Sequence, residues 1–194
     1  MEAIGKVCTG DEAGGKLARL LVEHGSPTLA NLKVGSLFAV SEVNDEEVEH
    51  LNAMLGEKGL RVRILRGKRC LVYIYRPAEL ERVLSDGSVR TFLESCGYSE
   101  FTVEHAIAQL EFHMPPCGEF PHEIGIFLGY PLSDVLGFIL NGGKNCLCCG
   151  YWKVYSDQCA ARQSFARFKK CKEVYKRLFA SGVSLTKLSV ATRL

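Results

Sequence analysis

The chain has 194 residues and a mass of 21.5 kDa, with 47% hydrophobic and 24% charged residues, a mean hydropathy of +0.04 and a formal net charge of +2. A chain of this length buries about 70% of the surface its unfolded form exposes, so a core without cross-links is expected. Scarce proline and ordinary apolar content exclude the disordered, collagenous and low-complexity classes.

Residues 11–23 read as a first helix with Leu17, Leu20 and Leu21 on one side, ended by Gly25-Ser26-Pro27. Residues 34–40 are a short apolar run between polar residues, the mark of a strand. A helix capped by Asn44 or Asp45 continues to Leu55, with Val48, Leu51 and Leu55 at helical spacing. Residues 60–65 alternate Arg61 and Arg63 against Val62 and Ile64, as a half-buried strand does. Arg66-Gly67-Lys68 then turns the chain into the apolar run 70–75, and the two strands make a hairpin.

Helices follow. Pro77 suits the first position of one carrying Leu80, Val83 and Leu84. Residues 89–96, stopped by Gly97, and residues 103–112 are two more, and Met114-Pro115-Pro116 breaks the pattern. Pro121 opens a helix to Leu128, Gly129-Tyr130-Pro131 interrupts it, and a second helix runs from Ser133 to Leu140. The run 124–140 contains Asp134, three glycines and Pro131, which argues against a membrane span. Residues 151–155 look like a buried strand. Asp157 caps a long helix to Phe179, with Ala161, Phe165, Phe168, Cys171, Tyr175 and Leu178 at three- and four-residue spacing. The pattern predicts a single α+β domain over 1–194. Its small mixed sheet combines the N-terminal strands, the hairpin 60–75 and a returning strand 151–155, covered by helices.

Glu2, Lys6, Asp11 and Glu12 interrupt any signal-peptide run, so a cytoplasmic location is expected. Nine cysteines, an odd number, then read as reduced thiols and not as a disulfide framework. Cys70, Cys96 and Cys171 suit small core gaps. Cys146-x-x-Cys149, with Cys148 between, has the spacing of one metal knuckle, but no second knuckle completes a zinc ribbon. These three are the candidate metal ligands, and thiolate with imidazole favours zinc, iron or copper. Reversible oxidation of Cys148 with Cys149 ranks lower, because a vicinal disulfide needs unusual geometry.

Charge is uneven. Residues 42–49 carry five anions and no cation, residues 61–69 five cations and no anion, and residues 157–177 seven cations against two anions. On the last segment, Arg162, Arg167, Lys169 and Lys170 mark a surface for an acidic protein partner, or simply a solvated helix face. The low net charge and the lack of a recognised motif argue against nucleic acid.

Residues 120–155 contain Phe-Pro-His-Glu-Ile-Gly, Phe-Leu-Gly-Tyr-Pro-Leu, Asp134-Val135, Gly137-Phe138-Ile139 and Gly-Tyr-Trp-Lys-Val-Tyr at 150–155. This run resembles the signature of a bacterial family known as domain of unknown function 3793. Ser26-Pro-Thr-Leu-Ala30 before Lys33 resembles the N-terminal element of the same family, so the likeness covers essentially the whole chain. Two positions depart from it: Gly25 follows His24 where the family usually has cysteine, and Asn31 stands where it tends to have glycine. The resemblance implies a small cytosolic bacterial protein and carries no activity with it.

The site must therefore be argued from residue chemistry. His122 beside Glu123 in a first helical turn suits a metal ligand or general base. The structural alternative has Glu123 bonding free amides while His122 packs, and adjacent residues do not share a helix face. Ile126 excludes the His-Glu-x-x-His zinc motif. Ser133 or Asp134 reads as the N-cap of the helix that follows. The Gly142-Gly143-Lys144-Asn145 turn lacks the order of a phosphate loop, although Lys144 and Asn145 suit an anion as well as a turn. Alternation puts Tyr151, Lys153 and Tyr155 on one strand face, a floor for a planar or anionic ligand or simply a set of packed tyrosines.

The expectation is a site where His122, Glu123, Lys144, Asn145, Lys153 and Tyr155 converge, with Cys146, Cys148 and Cys149 as metal ligands. It would serve a protein that handles a metal or a small anionic or planar ligand, with or without catalysis. The alternative is a non-catalytic module that docks an acidic protein through its basic C-terminal helix.

Overall fold

The computed structural model describes residues 15–66, 70–114 and 120–192. The expected helix start at 11–14, the turn residues Gly67 and Lys68, and the Pro115-Pro116 break lie outside them, as do Cys8 and Cys117. The main sheet is built from β1 (Gly35–Val40), β2 (Arg61–Arg66) and β3 (Cys70–Tyr75), in the order β1-β3-β2 with both pairings antiparallel. β3 is central, so its side chains are buried on both faces and its sequence is a continuous apolar run.

The two faces of β3 feed two cores. Leu71, Tyr73 and Tyr75, with Leu65 of β2, meet a layer made by α3 (Pro77–Leu84), α4 (Gly87–Ser95), α5 (Val103–His113) and α6 (Ile124–Phe127). Val72 and Ile74, with Val62 and Phe38, face the opposite layer of α1 (Lys16–Leu29), α2 (Asp45–Gly56) and α9 (Leu185–Leu188). The long helix α8 (Gln158–Ala180) adds Tyr175, Leu178 and Phe179 to that layer. Helices thus cover both sides of one small sheet, and the class is α+β. Asn44 caps α2 by accepting from the Glu46 amide, and Asp157 caps α8 by accepting from Ala160.

Two features of the expected sheet differ. It is antiparallel throughout, not mixed. Residues 151–155 do not return to it: only β5 (Lys153–Val154) is a strand, and it pairs with β4 (Cys148–Cys149) in a separate two-stranded ladder. The reason is local, since the amides of Tyr155 and Ser156 bond the Asp134 carboxylate and are withdrawn from any ladder.

α1 also runs on through Gly25-Ser26-Pro27, where a stop is expected. Pro27 gives up one helical hydrogen bond, but nine residues of the helix are buried and packing retains it. Gly25 allows the close approach, because a Cβ there would lie 3.0 Å from Ile74 Cγ2 of β3. Asn31 has φ 56°, the left-handed region where asparagine is the usual substitute for glycine. The wholly buried Arg76 then closes this end of the molecule. Its guanidinium donates to the carbonyls of Thr28 (2.7 Å), Leu29 (2.8 Å), Val190 (2.7 Å) and Lys58 (3.3 Å) and to Thr192 Oγ1 (3.0 Å). It thus satisfies open carbonyls at the end of α1.

The expected helix from Pro121 to Leu128 contracts to the single turn of α6. His122 and Glu123 sit in the turn before it. α7 (Leu132–Leu140) follows as expected.

Candidate functional site

Asp134, in the first turn of α7, does not cap that helix. Its side chain is buried and accepts four hydrogen bonds from the segment around β5: Trp152 Nε1–H (2.7 Å), the amides of Tyr155 and Ser156 (2.8 Å each) and Ser156 Oγ (2.7 Å). Burial pushes the carboxyl up, but these donors outweigh it and hold Asp134 below the usual carboxylate range. Gly137, one turn on, leaves room for Tyr155, whose ring any Cβ at that position would overlap.

This anchoring encloses a cleft of about 390 Å³ between α6, α7 and the β4–β5 ladder. Its walls are aromatic, with Tyr130 stacked on Trp152 at 5.0 Å and Phe138 and Tyr151 beside them. Tyr130 Oη–H also donates to the Tyr151 carbonyl at 3.1 Å. Burial pushes the Tyr130 phenol up to about 12, so it stays neutral. The polar groups at this apolar surface include His122, edge-on to Phe138 at 5.2 Å, and Lys153. Lys153 Nζ donates to the Gly143 carbonyl at 2.7 Å and lies 5.6 Å from the Phe138 ring centroid.

Of the expected residues, the structure therefore brings His122, Lys153 and Cys149 together around the cleft. Glu123 points the other way: it is buried and its Oε1 lies 3.0 Å from Nδ1 of His113. Lys144 and Asn145 are exposed on the turn after α7, away from the lining, and Asn145 holds φ 57° as a turn residue. Tyr155 does not share the cleft face with Tyr151 and Lys153, because β5 is two residues long and alternation ends at Val154. Its ring packs on α7 instead.

A family model described as Protein of unknown function (DUF3793) matches residues 21–189. The chain belongs to this family. No curated protein and no solved structure shows significant similarity to the chain. In this DUF3793 member the matched span contains every cleft residue and reaches from α1 through α9. Within it Cys146, Cys148 and Cys149 are free thiols. Adjacent residues of a strand face opposite sides, which separates Cys148 from Cys149. Among the described residues no three His, Cys, Asp or Glu side chains form a group able to hold a metal ion. The thiol spacing is thus not matched by a converging donor set for zinc, iron or copper. No helix among the described residues is long and apolar enough to cross a membrane.

Sequence reasoning missed His113 and Tyr98 as neighbours of Glu123. The Tyr98 ring meets His113 edge-on at 4.9 Å, and burial, with Glu123 nearby, drives its phenol pKa up. It also missed Tyr130 as a cleft wall, although the Gly129-Tyr130-Pro131 break marks the residue as one held between helices.

Proposed function

We propose that this DUF3793 protein binds a small planar anion in the aromatic cleft. The reading rests on one observation: a pre-formed cavity of about 390 Å³ combines aromatic walls with Lys153 and His122. Ligand cavities are commonly about 300–1,000 Å³, mostly apolar, with a few placed polar groups. A flat ring gains dispersion and quadrupole contacts from such walls, and a carboxylate or phosphate on it meets the Lys153 ammonium. Trp152, the chain's one tryptophan, lines the cleft and reports on it. Titration with nicotinate and with adenosine monophosphate is expected to quench Trp152 fluorescence saturably. Lys153→Ala is expected to weaken the effect about tenfold, as loss of a charge-assisted hydrogen bond does. Equal response to nicotinamide, which lacks the charge, or no saturable response to either anion, overturns the reading.

A second reading is supported by α8. Arg162, Arg167, Lys169 and Lys170 are exposed, and among the described residues none has a carboxylate in ion-pair range. Lys172 and Lys176, one turn on, close instead on Glu23 at 2.7 and 2.6 Å. Four free cations on one helix suit an acidic protein surface. Salt-sensitive retention on immobilised polyglutamate, lost in a triple variant at Arg162, Lys169 and Lys170, is the expected result. Retention unchanged by the triple variant contradicts it.

A further inference from the structure

Two cations are drawn into the interior near the end of α1, and they are treated differently. Arg76 has five oxygen acceptors around its guanidinium. Lys33, just beyond the left-handed Asn31, is half-buried; its Nζ donates to the Gly35 carbonyl and lies 5.1 Å from the Tyr130 ring centroid. Among the described residues no carboxylate comes within ion-pair range of it. The nearby acids are engaged elsewhere: Glu23 with Lys172 and Lys176, and Glu79 with Arg82 at 3.0 Å. Lys33 also forms part of the wall of two cavities. One, of about 310 Å³, is shared with His24, Ser36 and Lys172, and the other, of about 200 Å³, with Asn31, Glu79 and Trp152.

We infer that Lys33 is a nucleophilic amine that captures a small carbonyl compound, an aldehyde or 2-oxo acid, as an imine in these cavities. An ammonium partly removed from water, with no carboxylate in ion-pair range among the described residues, loses its proton more easily, and a desolvated lysine is one of the recognised forms of activated nucleophile. Burial pulls the Lys33 pKa down to about 7. About half the side chain is then neutral at neutral pH, against under about 0.1% for an ordinary lysine.

Of the groups that face it, the Gly35 carbonyl, the Tyr130 ring and Glu79 on the second cavity favour the ammonium, and burial acts against it. Lys172 is a second cation on the cavity wall, and the charge of Glu23 is offset by two lysines. Burial lowers the His24 pKa, with Lys172 acting in the same sense. Tyr130 and Tyr151 are both raised by burial and remain neutral phenols. The hydrogen bond to Gly35 uses an N–H and leaves the nitrogen lone pair free.

In the step, the Nζ lone pair bonds to the carbonyl carbon as the C=O π pair moves to oxygen. Both amine protons are transferred to that oxygen, which leaves as water, and a C=N bond remains. No oxidant or reductant takes part. Tyr130, Tyr151 and Trp152 line both places, but imine formation at Lys33 needs neither Lys153 nor His122, so either reading can fail without the other.

The test is reductive trapping of the full chain with glyoxylate and cyanoborohydride, followed by peptide mass mapping over a range of pH. The expected result is carboxymethylation of Lys33 at least about tenfold ahead of the exposed Lys144, Lys169 and Lys170 at neutral pH. The rate at Lys33 should be half-maximal near pH 7, the value burial sets. Lys33→Met, which removes a half-buried amine that has no ion-pair partner among the described residues, is expected to fold with a similar unfolding midpoint and to lose the fast adduct. Labelling of Lys33 no faster than the surface lysines, or a rate that rises only near the ordinary lysine pKa, overturns the inference.

Discussion

The main sheet and the β4–β5 ladder are both antiparallel, yet different forces hold them. In the sheet, β3 is buried from Leu71 to Tyr75, and each face meets a separate apolar layer. Loss of one methyl group there is shared among many neighbours. The ladder has two residues in each strand, and of these four only Val154 is buried. Its position rests on the four hydrogen bonds to Asp134, on the bonds of Tyr130 to Tyr151 and of Lys153 to Gly143, and on the packing of Trp152 between Tyr130 and Phe165. A redundant apolar core fixes the frame, and a few polar contacts centred on Asp134 shape the cleft.

Arg76 is the polar exception on the sheet side. Arg76→Ala leaves several buried carbonyls without donors and is expected to cost about 3–5 kcal/mol, by analogy with breaking a buried charged network. Denaturant unfolding measures it. A cost below about 1 kcal/mol, within the range of ordinary surface changes and single neutral hydrogen bonds, contradicts the clamp.

Asp134→Ala comes next, with about 3 kcal/mol expected from stranding the donors of Trp152, Tyr155 and Ser156. The effect should be uneven: amide exchange accelerates at residues 151–156 while β3 stays protected. Uniform acceleration in both regions would erase the distinction drawn here. Tyr73→Phe provides the contrast. Tyr73 Oη–H donates to the Phe127 carbonyl at 2.6 Å in a fully buried setting, so its loss should cost about 1–2 kcal/mol. Global stability should fall with no change in Trp152 fluorescence.

Acid separates the regions by the smallest effect. The folded pKa of Asp134 lies below its unfolded value, so its contribution is complete above the unfolded pKa of about 3.9 and is lost as pH falls through the folded pKa. Glu23 is lowered to about 2, chiefly by its hydrogen bonds to Lys172 and Lys176, so the contact of α1 with α8 has the same sign. Trp152 fluorescence should change as pH falls through the folded pKa of Asp134, whose carboxylate its indole bonds. Fluorescence that shows no acid transition of its own counts against Asp134 as the anchor.

These differences also explain what was legible in the sequence. The hairpin of β2 and β3, the caps Asn44 and Asp157 and the spacing along α8 follow from local periodicity and chemistry, and each is present. Asp134 is misread because Ser-Asp after proline is a local cap pattern, whereas its partners lie about twenty residues on, and nothing in the spacing joins them. The Glu123–His113 pair crosses a helix end in the same way. Lys33 looks ordinary in sequence, since desolvation comes from the packing of distant elements. The thiols mislead in the opposite direction: their spacing is a metal pattern, but β4 turns adjacent cysteines to opposite faces.

The indole N–H of Trp152 is the sharpest reporter of anion binding in the cleft, because it is unique in the chain and bonded to Asp134. Its proton resonance should be a single, well-resolved peak that shifts saturably as adenosine monophosphate is added to the wild-type protein. In Lys153→Ala the peak should keep its starting position, while the shift requires about tenfold more ligand. A peak that stays fixed throughout the titration, or moves equally in both proteins, contradicts anion binding in the aromatic cleft.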